Sequence, residues 1–102
     1  MKFSYRVVFL HQPGCPACHA MTPIWESAAN ELAEEYPHLN IGFGEWDVTN
    51  DDWAMCESVG CDGTPNFVVF DEGTTLLGLN TEGIVSKTEL KNFILNSVEG
   101  NN

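Results

Sequence analysis

A chain of 102 residues has room for one domain with a packed core and not for two, and its 43% hydrophobic and 11% aromatic content excludes a disordered chain. With 15 acidic residues against 4 basic ones the net charge is −11. A surface that negative repels phosphate backbones and anionic membranes, so neither nucleic acid nor a membrane is an expected partner, whereas basic or neutral proteins are.

The N-terminus, Met1-Lys2-Phe3-Ser4-Tyr5-Arg6, leads into the apolar residues Val7 to Leu10. That run is shorter than the roughly 7–15 residues of a secretory signal, and no stretch reaches the ~20 apolar residues of a membrane helix. The expected location is therefore cytoplasmic, a reducing compartment in which closely spaced cysteines point to catalysis or metal binding. Phe3 to His11 is rich in β-branched and aromatic residues and ends at Gln12-Pro13-Gly14, which predicts a strand followed by a turn. Val7-Val8-Phe9-Leu10 is apolar on both faces, as in a strand buried within a sheet.

From Cys15 the period changes. Met21, Ile24, Trp25, Ala28, Ala29, Leu32, Ala33 and Tyr36 recur at spacings of three and four, which predicts a long helix ended by Pro37. Leu39 to Val48 reads as a second strand, in which Gly42 and Gly44 point to a bulge. Thr49 to Asp52 supplies capping residues for a short helix ending near Gly60. Phe67 to Phe70 and Thr75 to Leu79, joined by Asp71-Glu72-Gly73, predict a hairpin. Ser86 and Glu89 fit a capping box, with Val85 and Leu90 at the staple positions, so a last helix starts there with Leu90, Phe93, Ile94 and Val98 on its apolar face. Glu99 to Asn102 reads as a frayed tail. The order strand–helix–strand–helix–strand–strand–helix implies an α/β fold. Its mixed four-stranded sheet carries helices on both faces, with a right-handed parallel crossover first and an antiparallel hairpin last.

Cys15-Pro16-Ala17-Cys18 stands where the first strand hands over to the first helix. A thiol at the start of a helix faces unpaired backbone N–H groups and the positive end of the helix dipole, and both favour thiolate over thiol. Cys15 is thus the expected nucleophile. Cys18, one turn further in, is the expected resolving thiol, attacking the mixed disulfide to release product. Pro16 suits the first helical position, where a missing N–H costs nothing. Three other readings of the pair stand beside this one. It is half of a zinc site if Cys56 and Cys61 supply the other half. Cys15-x-x-Cys18-His19 also spells a c-type haem attachment. The third is a purely structural thiol pair.

With Pro23 five residues after the pair, Thr64-Pro65 directly before an apolar strand, and Gly83 three residues before Ser86-Lys87-x-x-Leu90-Lys91-x-Phe93, the sequence resembles the thioredoxin family over Phe3 to about Val98. The resemblance implies a thioredoxin fold in one domain spanning 1–102. It implies a cis peptide bond at Thr64-Pro65, facing the cysteines, beside which a substrate chain lies like an added strand. It further implies a substrate groove bounded by Pro16, Ala17, Thr64, Pro65 and Gly83. Several features depart from the family. The extra strand and helix with which thioredoxins begin have no counterpart, as in a glutaredoxin or a trimmed thioredoxin core. Gly14 replaces the tryptophan before the first cysteine. Phe9 falls where thioredoxins bury an aspartate, which leaves His19, His11 or water to move the proton of Cys18. The cations that glutaredoxins place around glutathione are not evident among Lys2, Arg6, Lys87 and Lys91.

Cys56 and Cys61 flank the end of the second helix and are expected either to form a second disulfide, locking the loop before Pro65, or to act as two small buried apolar side chains. The function expected from all of this is thiol–disulfide exchange that reduces protein disulfides. The chain would act as a monomer without a bound cofactor or metal, with electrons from a reductase or a small thiol. The competing expectation is a binding module or complex subunit that keeps the fold and does not use the thiols.

Overall fold

The computed structural model describes residues 3–100. Met1, Lys2 (one of the four cations weighed above) and the tail residues Asn101 and Asn102 lie outside the described residues. The expected alternation organises the centre of the sheet. In β1 (Tyr5–His11) the side chains of Val7 and Phe9 pack on one face, whereas Leu10 and Val8 pack on the other. A strand apolar on both sides belongs inside a sheet. β1 accordingly pairs in parallel with β2 (Ile41–Asp47) and antiparallel with β3 (Asn66–Asp71), and β4 (Leu76–Asn80) completes the order β2-β1-β3-β4.

Two helices cover the first face. α1 (Pro16–Glu35) contributes Met21, Trp25, Ala28 and Leu32, and α3 (Lys87–Glu99) contributes Leu90, Ile94 and Val98, all against Val7, Phe9, Phe67 and Val69. α1 continues through Pro23, which supplies no N–H to the carbonyl of His19. Ala33, expected on the buried stripe, is exposed. α3 starts with the expected box: Ser86 Oγ accepts the Glu89 N–H at 3.1 Å and Glu89 Oε1 accepts the Ser86 N–H at 3.2 Å. The helix runs to Glu99, so the first residue of the expected tail is helical. On the second face α2 (Ala54–Val59) sets Cys56 beside Leu10, Val48 and Val68.

One local expectation is corrected. No bulge lies at Gly42 or Gly44, because the β1–β2 register is unbroken from Tyr5↔Ile41 to His11↔Asp47. The glycine at 42 admits a ring instead: a Cβ there would stand 2.6 Å from Phe3 Cδ2. The irregularity in the sheet falls between Val69 and Phe70, against β4. The short helix expected to end near Gly60 is α2, and the capping residues expected before it form a first piece of their own, a 3-10 turn (Val48–Asp51), joined to the second, α2, through Asp52 and Trp53 in left-handed backbone, φ 55° and 68°. Asp47 caps the first piece through the Thr49 N–H at 2.9 Å, and Asp51 accepts the Met55 N–H of the second at 3.0 Å.

α1 and α3 are also clasped at the surface. Glu31 receives Lys87 and Lys91, and Lys91 also reaches Glu35 at 2.8 Å. The hydrogen bonds from Lys87 and then Lys91 hold the Glu31 carboxyl down at about 2, from an ordinary 4.5. A carboxyl depressed by folding contributes stability that is fully present above its unfolded value and is lost as the pH falls toward its folded one. Glu31→Gln is therefore expected to lower the thermal midpoint at neutral pH, with the gap to the parent closing progressively below pH 4.5. Melting curves across that range, at low and high salt, check this; a gap independent of pH would assign the loss to packing.

Candidate active site

The site grows from the junction of β1 and α1. Gly14 takes a left-handed turn, φ +72°, where a residue with a Cβ would be strained. Cys15 follows in extended conformation, φ −103° and ψ 101°, and serves as the N-cap of α1, with Pro16 in the first turn. Its Sγ accepts the backbone N–H of Cys18 at 3.1 Å, the place a capping oxygen takes in most helices. The sulfurs of Cys15 and Cys18 are joined in a disulfide whose Cα atoms are 5.2 Å apart. The two partners differ in access: Cys15 is half-buried, whereas Cys18 is 4% exposed and packed in the core cluster with Met21 and Trp25.

The loop before β3 closes the site from the other side. The Thr64–Pro65 peptide bond is cis. Thr64 Oγ1 lies 3.5 Å from Cys15 Sγ and donates to it, and the Thr64 carbonyl oxygen is 3.8 Å from the same sulfur. Gln12 Nε2 donates to Thr64 Oγ1 at 2.9 Å. An open cleft of about 630 Å³ lies beside the sulfurs, its walls including His11, Gln12, Pro16, His19 and Glu45. Both histidines named as proton carriers thus face the cleft. His19 is exposed on α1, and His11 stands with Nε2 3.9 Å from Glu45 Oε1. Phe9 occupies the first-strand position in question as a core residue, stacked on Phe67 with ring centroids 5.1 Å apart.

Of the residues expected around a groove, Pro16 lines the cleft, and Thr64 reaches Cys15 directly. Pro65 is buried behind Thr64. Ala17 and Gly83 are not among the cleft's lining residues; Gly83 takes φ +82° in the loop leading to Val85, whose N–H meets Met21 Sδ at 3.4 Å. Sequence reasoning missed Gln12 and Glu45. Each reads in sequence as a piece of local structure, Gln12 in a turn and Glu45 in a strand, and nothing near Gln12 marks a partner 52 residues away.

Cys56 and Cys61 lie under the sheet's other face and are also joined in a disulfide, with Cα atoms 5.0 Å apart. The geometry follows from how α2 ends. Gly60 is left-handed, φ 89°, the Cys61 N–H bonds the Cys56 carbonyl at 2.9 Å and the Gly60 N–H bonds the Glu57 carbonyl at 3.1 Å. This is the Schellman termination, which brings side chains at these two positions into contact, where an apolar pair commonly sits. Here that pair is two cysteines. The two cysteine pairs lie in separate clusters, each joined within itself, and no group of three or more His, Cys, Asp or Glu that could hold a metal is gathered among the described residues. In a variant lacking Cys15 and Cys18, mild oxidation is expected to consume two thiols, and the closed loop to add about 2 kcal/mol of stability. An unchanged thiol count would refute the bridge.

Against known proteins, the thioredoxin family model matches residues 4–96. A search of curated proteins finds no match. Among solved structures the chain is similar to the first two thioredoxin domains of Saccharomyces cerevisiae Eps1p, with a TM-score of 0.77 and 21% identity over 98% of this chain and 37% of that one. It is similar to human ERp44 in a zinc-bound form, with a TM-score of 0.74 and 19% identity over 93% of this chain and 27% of that one. It is also similar to a mutant thioredoxin from Halobacterium salinarum, with a TM-score of 0.69 and 19% identity over 94% of this chain and 76% of that one. At these identities the likeness is one of fold. The chain spans well under half of the first two structures.

Proposed function

The chain belongs to the thioredoxin family, and from that premise we propose that it is a thiol–disulfide oxidoreductase which reduces protein disulfides through Cys15 and Cys18. One observation carries the reading: Cys15 Sγ sits at the N-terminus of α1 and receives the Cys18 N–H at 3.1 Å and the Thr64 hydroxyl at 3.5 Å. Donors aimed at a sulfur, together with the helix dipole, favour its thiolate and so its nucleophilicity near neutral pH.

In the reduced protein the Cys15 thiolate attacks one sulfur of a substrate disulfide. A Cys15–substrate bond forms, the substrate's S–S bond breaks, and the leaving thiolate takes a proton. Cys18 then gives up its proton to water, His11 or His19 and attacks Cys15 Sγ. The Cys15–Cys18 disulfide forms, and the second substrate thiol departs. The substrate gains two electrons and two protons. A reductase or a small thiol returns the protein to its dithiol form, as a reducing cytoplasm would require. In this reading Thr64, beside Cys15 on the cis-proline loop, meets the substrate backbone. Among the cleft residues only Glu45 carries a full formal charge, and it is negative, which suits neutral or basic protein segments better than an anionic small thiol.

The test is insulin reduction by dithiothreitol, comparing the parent with Cys15→Ser. The parent is expected to speed the reaction, and the variant to fall to the uncatalysed rate. Equal rates would favour the second reading, a thioredoxin-fold binding module that does not use its thiols.

A further inference from the structure

The hydrogen bonds around Thr64 have a direction. A threonine hydroxyl carries one proton and two lone pairs, whereas the amide nitrogen of glutamine can only donate. Gln12 Nε2 at 2.9 Å therefore occupies a lone pair of Thr64 Oγ1, and the single hydroxyl proton is left to point elsewhere. The sulfur of Cys15 stands 3.5 Å away in position to accept it.

We propose that Gln12 is a positioning residue for the exchange reaction: its amide holds the Thr64 hydroxyl so that the proton faces Cys15 Sγ and stabilises the thiolate. This deepens the reading of Cys15 as nucleophile and rests on it. The alternative amide orientation would draw the hydroxyl proton toward Gln12 Oε1 and turn oxygen lone pairs toward the sulfur, beside the Thr64 carbonyl oxygen already 3.8 Å from it. An anionic sulfur disfavours that orientation and selects the donating one. The charged state of Cys15 and the orientation of Gln12 are thus coupled.

The sheet fixes the placement. β1 and β3 run antiparallel with Phe9 opposite Phe67 and Leu10 opposite Asn66. Continuing that register past the strand ends sets Gln12 across from Thr64. The loop side is braced as well, since Asn66 Nδ2 bonds the Gly63 carbonyl immediately before Thr64. Gln12 is half-buried at the cleft wall, where its bond to Thr64 is shielded on one side. It donates to Thr64 and reaches the sulfur only through that hydroxyl, so its effect must vanish when the hydroxyl is gone.

That dependence supplies the test. The rate of Cys15 carbamidomethylation, followed by peptide mass across the pH range on the reduced protein, gives the acidity of Cys15 in four forms: the parent, Gln12→Leu, Thr64→Val and the double variant. Thr64→Val is expected to raise the Cys15 pKa by about one unit, a roughly tenfold lower thiolate fraction on the acid side of the titration. Gln12→Leu should move it the same way by a smaller amount, and the double variant should match Thr64→Val alone. Thr64→Ser, which keeps the hydroxyl, should restore the response to Gln12. Circular dichroism on each variant checks the fold. An unchanged pKa in Gln12→Leu, or an equal Gln12→Leu shift with and without the Thr64 hydroxyl, overturns the inference while leaving the oxidoreductase reading standing. A parent Cys15 no more acidic than a free cysteine overturns both.

Discussion

Replacing Cys18 with alanine is expected to turn the protein into a trap, with turnover on a protein disulfide down by about 100-fold or more and a covalent Cys15–substrate adduct accumulating in its place. The two half-reactions use different sulfurs. Attack needs only Cys15, which is half-buried at the cleft wall and keeps its Thr64 contact when Cys18 is removed. The Cys18 N–H that Cys15 accepts belongs to the backbone, and alanine retains it. Release needs a second thiol held against the mixed disulfide. With Cα atoms 5.2 Å apart Cys18 meets that need intramolecularly, at an effective concentration that free thiols do not reach. Non-reducing electrophoresis and intact mass would show the adduct, and added dithiothreitol would release it slowly. Turnover at the parent rate without an adduct would mean that Cys15 works alone, and the dithiol cycle would be wrong. The binding-module reading gives a third signature: no adduct and no turnover in either form.

Much of this molecule is legible in its sequence because the signals are local. The period of three and four from Met21 to Leu32, the box at Ser86 and Glu89, and the doubly apolar Val7 to Leu10 each encode an element within one or two turns of chain. Cys15-Pro16-Ala17-Cys18 is legible for the same reason, since cap, N-terminal proline and second thiol fall inside one helical turn. What escaped depends on neighbours distant in sequence. Gly42 reads as a bulge until Phe3 is seen over it, so its role is to leave room. Asp52 and Trp53 carry no glycine-like mark, yet both turn left-handed between the 3-10 turn and α2. Gln12 is a turn residue on paper, and only the register of β1 against β3 brings it to Thr64. Cys56 and Cys61 are intermediate. Glycine directly before the second cysteine, after a short helix, is the mark of a termination that brings the two side chains together, and it was available to a reader of the sequence.

Phe9→Ala is expected to be among the most damaging single truncations in the core, at about 3–5 kcal/mol. Phe9 is 1% exposed on the central strand, stacked on Phe67 at 5.1 Å and tilted against Trp25 at 5.8 Å, so its ring joins β1, β3 and α1. Removing it leaves a cavity walled by two strands held in register and by a long helix, elements that collapse inward poorly; the loss therefore includes a cavity contribution beyond the apolar transfer. Against the roughly 5–15 kcal/mol typical of a whole domain, that is a large share. Urea unfolding should show the midpoint falling with the slope unchanged, and Phe9→Leu, which keeps most of the volume, should recover over half of the loss. The cavity has a chemical consequence as well. Cys18 belongs to the same cluster and is shielded by it, so in a Cys15→Ser background Phe9→Ala should speed alkylation of Cys18 under native conditions. If Cys18 reacts no faster while the urea midpoint drops as stated, its protection comes from α1 alone, and Phe9 supports the fold without guarding the resolving thiol.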